Sequence, residues 1–398
     1  MDRSFGFLCI CCEFKGDDFL REAAALGHRV YLITGENHKD DPWPFDEITE
    51  VFYMPSKDGR LWDMEDLKKG VAHLMRRAKI DRMIALDDYD VHKVAYLREE
   101  FRMPGMGQTT ARHFYDKLAM RIQAQEAEIP VPAFSSMFND DDINHFLNTT
   151  EGPWFVKPRS DAGSLGIRKV NNIDEFWQLA NTLGDERHRY LIEEFKAGDV
   201  CHVDSLSFKD EIVFTRSSQY LNPPFDIAHG GGIFQSCTLG EEDELHYQLV
   251  EINRKVLKAF GMRHGASHSE YIIHNGEPIF LETSARVGGA NLSVLVEHGS
   301  DINLWRQWAR IEDAVLKDDN YTIPERAHNH AGIIASLSRF EWPDYNRHTD
   351  AEITWKLNKK YHVGFIFKSP DRNIVLGKLD KYSRVISEEY HATVPLKE

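Results

Sequence analysis

The hydrophobic pattern changes period several times along the chain. Over the first hundred residues, short apolar runs at 5–12, 29–35, 48–54 and 82–88 read as strands. Residues 19–27, 64–79 and 90–101 instead carry apolar positions at helical spacing. Strands separated by amphipathic helices predict a parallel α/β domain with helices on both faces, covering 1–108. A turn at 103–107 leads to a helix at 109–127, closed by Ile129-Pro-Val-Pro132. Strands at 133–138, 154–158, 166–170 and 189–195, interleaved with helices at 140–148 and 173–183, then predict a small α+β lobe.

A longer antiparallel region follows, with strands at 200–208, 211–220, 266–273 and 278–286 and a helix at 241–260. Past about 325, short strands at 330–336, 354–357, 362–367 and 374–379 read as a small C-terminal α+β domain. The pattern thus divides the chain into 1–108, a two-lobed core at 109–322 (a lid lobe at about 109–192 and a larger lobe at about 193–322) and 323–398.

Charge narrows the choice of partners. The 398 residues carry 48 Lys plus Arg against 64 Asp plus Glu, a formal charge of −16. Such a chain repels nucleic acid and anionic membranes in general, so an anionic ligand must be held by a few local cations. No run of 18 apolar residues exists to span a bilayer. The N-terminal apolar run lacks a cleavage pattern, so the cytoplasm is expected. Of five cysteines, Cys9, Cys11 and Cys12 crowd one predicted strand with Cys12 on the opposite face, which predicts buried reduced thiols in place of a zinc site.

Candidate chemistry begins at Ser269-Glu-Tyr-Ile-Ile-His-Asn-Gly-Glu-Pro-Ile-Phe-Leu-Glu-Thr-Ser-Ala-Arg286, where Asn275-Gly276 marks a hairpin. A two-residue loop sets Glu270 opposite Leu281 and turns Glu282 to the other face. A three-residue loop sets Glu270 opposite Phe280, with Glu282 diagonal to it on one face. By alternation Glu282, Ser284 and Arg286 share a side. Two carboxylates with a cation beyond them suit Mg²⁺ bound with phosphate; a solvated, charge-alternating face fits the spacing equally.

In Phe155-Val-Lys-Pro-Arg-Ser-Asp-Ala-Gly-Ser-Leu-Gly-Ile-Arg-Lys-Val170 there is no Walker pattern. Ser160, Gly163, Ser164 and Gly166 can still fold backbone N–H groups over a polyphosphate, with Lys157 as a point charge at its base. A mobile surface hairpin is the commoner origin of such a stretch, and Lys169 reads as a solvated strand lysine. Residues 221–232, ending in three glycines, read as a lid loop.

Taken in order, Asp116-Lys117 opening a helix that ends in IPVP, FVKPRSDAGSLGIRKV, YLIEEFKAGDVCHVDS and SHSEYIIHNGEPIFLETSARVGGANL resemble the ATP-grasp superfamily. They look most like its branch of L-amino-acid ligases. The resemblance implies ATP between two lobes, with Lys117 and Lys157 on its phosphates and the 160–166 loop closing over them. It implies adenine at Glu193, Glu194 and Phe195, Mg²⁺ (replaceable by Mn²⁺) at Glu270 and Glu282, and Arg286 stabilising an acyl phosphate. Gly288 and Gly289 would leave room for substrate, and His268, which shares a face with Glu270, belongs beside it.

Two positions depart from the family pattern. Ser284 stands where many relatives have an Asn metal ligand, and Asp199 stands for the usual ribose glutamate. The implied activity is a carboxylate–amine ligase acting on small molecules through an acyl phosphate, with a homodimer as the expected assembly if there is one. The alternatives are a regulatory ATP-binding module without turnover and a biotin- or bicarbonate-using carboxylase. The latter would need a separate carrier, since no Met-Lys-Met sequence is present.

Overall fold

The computed structural model describes residues 4–56, 59–161, 163 and 166–393. The N-terminal part runs β1 (Gly6–Cys11), α1 (Asp17–Ala25), β2 (Arg29–Gly35), β3 (Glu50–Met54), α2 (Met64–Met75), β4 (Arg82–Ala85) and α3 (Asp88–Glu100). Its four strands pair in the order β3-β2-β1-β4, all parallel. Every residue of β1 is buried, as a strand covered on both faces requires. The five cysteines are free and buried, as their surroundings predict. Phe19 of α1 meets Trp308 edge-on at 5.2 Å between centroids, seating this domain on the rest of the chain.

The predicted helix at 109–127 is two helices, α4 (Gln108–Arg112) and α5 (Lys117–Glu126). Asp116 divides them: its carboxylate accepts from the N–H groups of Leu118 and Ala119 and from Arg159 Nε at 3.0 Å. Lys117 is therefore placed in the first turn of α5, its own N–H donating to Arg159 O.

A lid lobe follows, with β5 (Phe134–Ser136), α6 (Asp140–Thr149), β6 (Trp154–Pro158), β7 (Arg168–Val170), α7 (Ile173–Leu183) and β8 (Tyr190–Glu194). Its antiparallel sheet has the order β5-β8-β6-β7. Trp154, Val156, Val170 and Ile192 turn one face of that sheet into the lobe's core. Because β8 belongs to this sheet, the expected boundary at 192/193 falls inside a strand.

The large lobe contains β9 (Asp199–Phe208), β10 (Glu211–Tyr220), α8 (Pro224–Gly230), β11 (Phe234–Thr238), α9 (Glu244–Phe260), β12 (Gly265–His274), β13 (Glu277–Ser284), α10 (Leu292–Ser300) and α11 (Leu304–Lys317). The last elements are β14 (His330–Leu337), β15 (Ile353–Lys356), β16 (His362–Ser369) and α12 (Arg372–Glu389). The eight strands form one antiparallel sheet in the order β13-β12-β9-β10-β11-β14-β16-β15. The segment expected to form a third domain therefore extends the large lobe's sheet, through the ladder from Phe234↔Ala335 to Cys237↔Gly332.

The predicted strand at 374–379 is part of α12. Val375, Leu379, Tyr382 and Ile386 are buried at helical spacing, and the Asp371 side chain caps the first turn. The expected lid loop at 221–232 holds the short helix α8, and β11, α10 and α11 were not marked by the pattern.

Candidate functional site

The hairpin β12–β13 turns at Asn275 and Gly276 with φ of +53° and +85°, the two positive values a two-residue type I′ loop requires. His274 accordingly faces Glu277, and Tyr271 faces Phe280. The next pair is Glu270↔Glu282, so Leu281 is an extra residue in β13. Neither expected register holds to the end. This bulge lets a two-residue loop bring both carboxylates directly opposite one another on one face. Arg121 of α5 holds the bulge in place by donating from Nη1 to Leu281 O.

A cavity of about 300 Å³ lies between this hairpin and the lid sheet. Its lid wall follows from register, since Lys169 and Glu193 both pair with Phe155, and Lys157 is two residues further along the same face. All four line the cavity. Lys169 is thus a cavity residue, with Nζ 4.3 Å from the Phe195 ring centroid, and not simply a solvated strand lysine. From the other side come Lys117, Glu270, Glu282, Ile272 and Leu281, with Pro223, Pro224 and Phe225 of the α8 segment at the mouth.

Most of the charges are paired. Lys117 Nζ lies 2.9 Å from Glu282 Oε2 and donates to Asp161 O, tying the base of the 160–166 loop to the hairpin. Burial lowers the Lys117 pKa, but Glu282 outweighs it and the net shift is upward. Lys157 and Arg121 both hold the Glu193 carboxylate, which is 1% exposed. Burial alone would raise that acid; the two cations overcome it and bring the pKa down to about 2. The Glu193 side chain therefore braces the two lysine-bearing elements. The N–H groups of Glu194 and Phe195 donate to Ala133 O and Pro153 O, so neither is open to an adenine edge.

At the end of β13, Ser284 Oγ and the Arg286 guanidinium both donate to Asp88 of α3, with Arg286 Nε 2.8 Å from Oδ2. Ser284 faces this acid. Burial opposes charge on Asp88, but Arg286 prevails and holds it at about 2; Arg286 is raised in turn. Lys15 pairs with Asp87 next door. Behind Glu270, His268 Nδ1 is 2.9 Å from Asp204 Oδ1, and its Nε2 is 3.6 Å from Glu270 Oε1. Despite burial, Asp204 raises His268 to about 9. Tyr220 donates to Glu270 Oε1 at 2.8 Å. His268 thus supports Glu270 from behind. A Cβ on Gly288 would meet Asp204 Oδ1 at 2.8 Å, so its missing side chain makes room for that pair; Gly289 has open space.

Of the remaining candidates, Ser160, Gly163 and Gly166 are exposed on the loop beside the cavity, both glycines at φ +69°. Ser164 lies outside the described residues. Asp199 is exposed and accepts from Gln219 Nε2 at 3.2 Å. Gly198 and Val200 line the cavity, so strand alternation turns Asp199 away from it. Asp88, Arg121, Tyr220, Asp204 and Phe225 were not foreseen. Arg121 follows Lys117 by one helical turn, and Asp88 follows a parallel strand at its carboxyl end, where α/β domains gather ligands; those were the available signals.

A four-stranded lid sheet facing a larger antiparallel sheet across a cavity, behind a parallel α/β domain, is the ATP-grasp fold. The chain resembles the L-amino-acid ligases within it. No protein-family model matches the sequence. The L-arginine-specific L-amino acid ligase of Bacillus subtilis is 26% identical over 269 residues, which are 66% of this chain and 64% of that protein. The chain therefore spans less than two thirds of that relative's length. A D-alanine–D-alanine ligase of Christiangramia forsetii is 28% identical over 156 residues, 36% of this chain and 45% of its own. Among solved structures, the L-amino acid ligase of Bacillus licheniformis superposes with a TM-score of 0.75 at 17% identity, over 98% of both chains. The N5-carboxyaminoimidazole synthetase of Staphylococcus aureus complexed with ADP gives 0.72 at 14%, over 96% of this chain and 98% of that one. No described helix is long and apolar enough to cross a membrane.

Proposed function

We propose that the chain is an ATP- and Mg²⁺-dependent ligase that joins a small carboxylate to an amine, with an acyl phosphate between the two steps. The observation that carries this reading is the Glu270↔Glu282 pair across a cavity from Lys157, with Lys117 beside Glu282. A set of two facing carboxylates fits Mg²⁺, which takes hard oxygen ligands and completes its shell with phosphate and water. Glu270 and Glu282 would hold the ion, which supplies charge neutralisation to the phosphates when bound. Lys117 and Lys157 would meet phosphate oxygens, each exchanging its present carboxylate partner for one.

The rest is this chain's own electrostatics. A substrate carboxylate attacks the terminal phosphoryl group, and ADP leaves. Arg286, half-buried and charged, faces the acyl phosphate and steadies the oxyanion formed when the amine attacks; phosphate then departs and an amide remains. No protein nucleophile is needed. Asp88 holds Arg286 by Nε and Nη2, which fixes the guanidinium before substrate arrives. The fold resemblance to ligases supports the bond class; the acid and the amine stay open.

The test is ADP and phosphate release over a broad panel of amino acids and small acids, with products weighed by mass spectrometry. The expected result is acid-dependent ADP formation that requires Mg²⁺, together with an amide product. Tight ATP binding with no acid-stimulated turnover across the panel would reject the ligase reading in favour of a nucleotide-binding regulatory module.

A further inference from the structure

A second cavity, of about 400 Å³, opens where the N-terminal domain, the 104–107 linker and α11 meet. It shares no lining residue with the nucleotide cavity. Ala285 lines it, while Ser284 and Arg286 on either side turn to Asp88, so the chain after β13 separates the two.

The cavity's charges are unevenly matched. Arg82 of β4 is 9% exposed, and its Nε faces Glu312 Oε2 as an ion pair without hydrogen-bond geometry. Its ion pair is with Glu312 of α11 at 3.2 Å, and Glu312 also accepts from Trp308 Nε1 at 3.2 Å. Arg98, in the last turn of α3, donates from Nη2 to Met83 O at 2.5 Å and from Nη1 to Met106 O at 3.4 Å, while its Nε has no hydrogen-bond partner. Burial pulls Arg98 down to about 10, which still leaves it charged at neutral pH. The linker lies over it at Gly105, where a Cβ would come within 2.7 Å of Nε. Arg263 at the rim is engaged by Asp210 at 3.2 Å.

Two guanidiniums therefore line a cavity with one carboxylate, which pairs with Arg82 alone among the described ion pairs, in a chain whose net charge is −16. Arg98 Nε is a buried donor without an acceptor, an arrangement that is stable only at some expense elsewhere or with an acceptor supplied from outside. Val91, Met106, Met262 and Val315 add apolar lining. Planar forked donors suit a carboxylate, and the apolar walls suit the body behind it.

We propose that this cavity is a second binding site, for a small organic carboxylate with an apolar body, its acid group between Arg82 and Arg98. A hydrophobic α-amino acid and the corresponding deaminated acid share that chemistry; only the former offers an ammonium to Glu312. The inference does not depend on ligase activity. Its consequence for the nucleotide site runs through α3, which carries Asp88 at its start and Arg98 ten residues on, about 15 Å along the axis. A ligand that draws Arg98 toward Glu312 bears on the helix whose first turn holds Arg286.

The full-length protein, without nucleotide, is titrated calorimetrically with leucine, with 4-methylpentanoate and with inorganic phosphate. Saturable binding of at least one carboxylate is expected. Glu282→Gln should leave it unchanged, and Arg82→Gln should weaken it about tenfold or more. Met106→Trp keeps both arginines and fills the space, so it should abolish binding while the circular dichroism and melting curve stay native. Leucine alone binding would assign the ammonium to Glu312, and equal binding of both acids would assign the carboxylate contact only; either supports the site. No saturable carboxylate binding up to roughly 10 mM, a preference for phosphate alone, or binding lost in Glu282→Gln and kept in Met106→Trp would overturn it.

Discussion

The two cavities differ in how their cations are matched. In the cavity under the lid sheet Lys117 has Glu282, Lys157 has Glu193 and nearby Arg286 has Asp88, while Lys169 has no carboxylate among the described ion pairs. In the cavity beside the linker Glu312 pairs with Arg82, and Arg98 meets only backbone carbonyls among the described contacts. A cation held by a carboxylate is preorganised in position, and a ligand reaches it by exchanging partners. A site with a cation left over is organised to receive a charge. Glu193 and Asp88, on the protein's side of that exchange, keep the lysine and arginine heads in place before any ligand arrives.

The greatest break in this comparison should come from Glu282→Gln. It removes one of two facing carboxylates and the partner of Lys117, so Mg²⁺-dependent ADP release should fall by about 10²–10³-fold. The fold should survive, because the Glu282 side chain is about a third exposed, at 32%. A turnover within about threefold of the parent enzyme would show that the pair is a surface feature.

Next in size is Arg121→Met. Its guanidinium joins Glu193 in the lid sheet to the Leu281 carbonyl at the bulge, so one side chain ties the lid wall to the carboxylate hairpin. Lys157 would still hold Glu193, but a charge-assisted contact at a fully buried site would be gone. The expected loss is about 3–5 kcal/mol in denaturant unfolding, with the midpoint shifted and nucleotide binding weakened in parallel. A variant of unchanged stability would mean that Lys157 alone satisfies the acid.

The bulge also shows where the sequence stops being legible. Lys117, Lys157, Glu270 and Glu282 could be placed because each sits at a local mark: a helix start, a strand before a glycine loop, the two arms of an Asn-Gly hairpin. The register that makes the two acids face depends on Arg121, 160 residues from Leu281, and no local pattern records it. Asp88 is hidden in the same way, lying 198 residues from the Arg286 that it holds.

Errors of period had a different cause. The run Ile374-Val-Leu376 is β-branched and apolar enough to imitate a strand. Only the spacing out to Tyr382 and Ile386, with the Asp371 cap, identifies α12. Asp199 has the chemistry of a ribose contact near the hinge, but alternation along β9 turns it away from the cavity.

Acid sharpens the comparison by a smaller amount. The Glu193 carboxyl titrates at about 2 in the fold, against an ordinary value of 4.5. A depressed acid stabilises the folded state in full above its unfolded value and loses that contribution as pH falls through the folded one. Stability should therefore drop between about pH 4.5 and pH 2, by on the order of 3 kcal/mol from this group alone. Glu193→Gln should flatten that part of the curve of unfolding free energy against pH. An unaltered acid limb would assign the loss to other carboxylates.

The smallest effect belongs to Lys169. It is exposed, its ammonium lies over the Phe195 ring at 4.3 Å, and it lines the cavity mouth opposite Glu194 and Lys196 without a carboxylate of its own among the described ion pairs. A solvent-exposed ion contact with a phosphate contributes about 0.5–1 kcal/mol, which corresponds to roughly a two- to fivefold change in affinity. Lys169→Met should raise the KM for ATP by that factor and leave the melting temperature alone. Lys157→Met should change both, since it leaves Glu193 short of a partner in a buried site. If the two variants moved KM equally and neither moved stability, the division between a lysine bound into the protein and one free for the ligand would fail. That result would mean that the lid wall meets ATP with both cations alike.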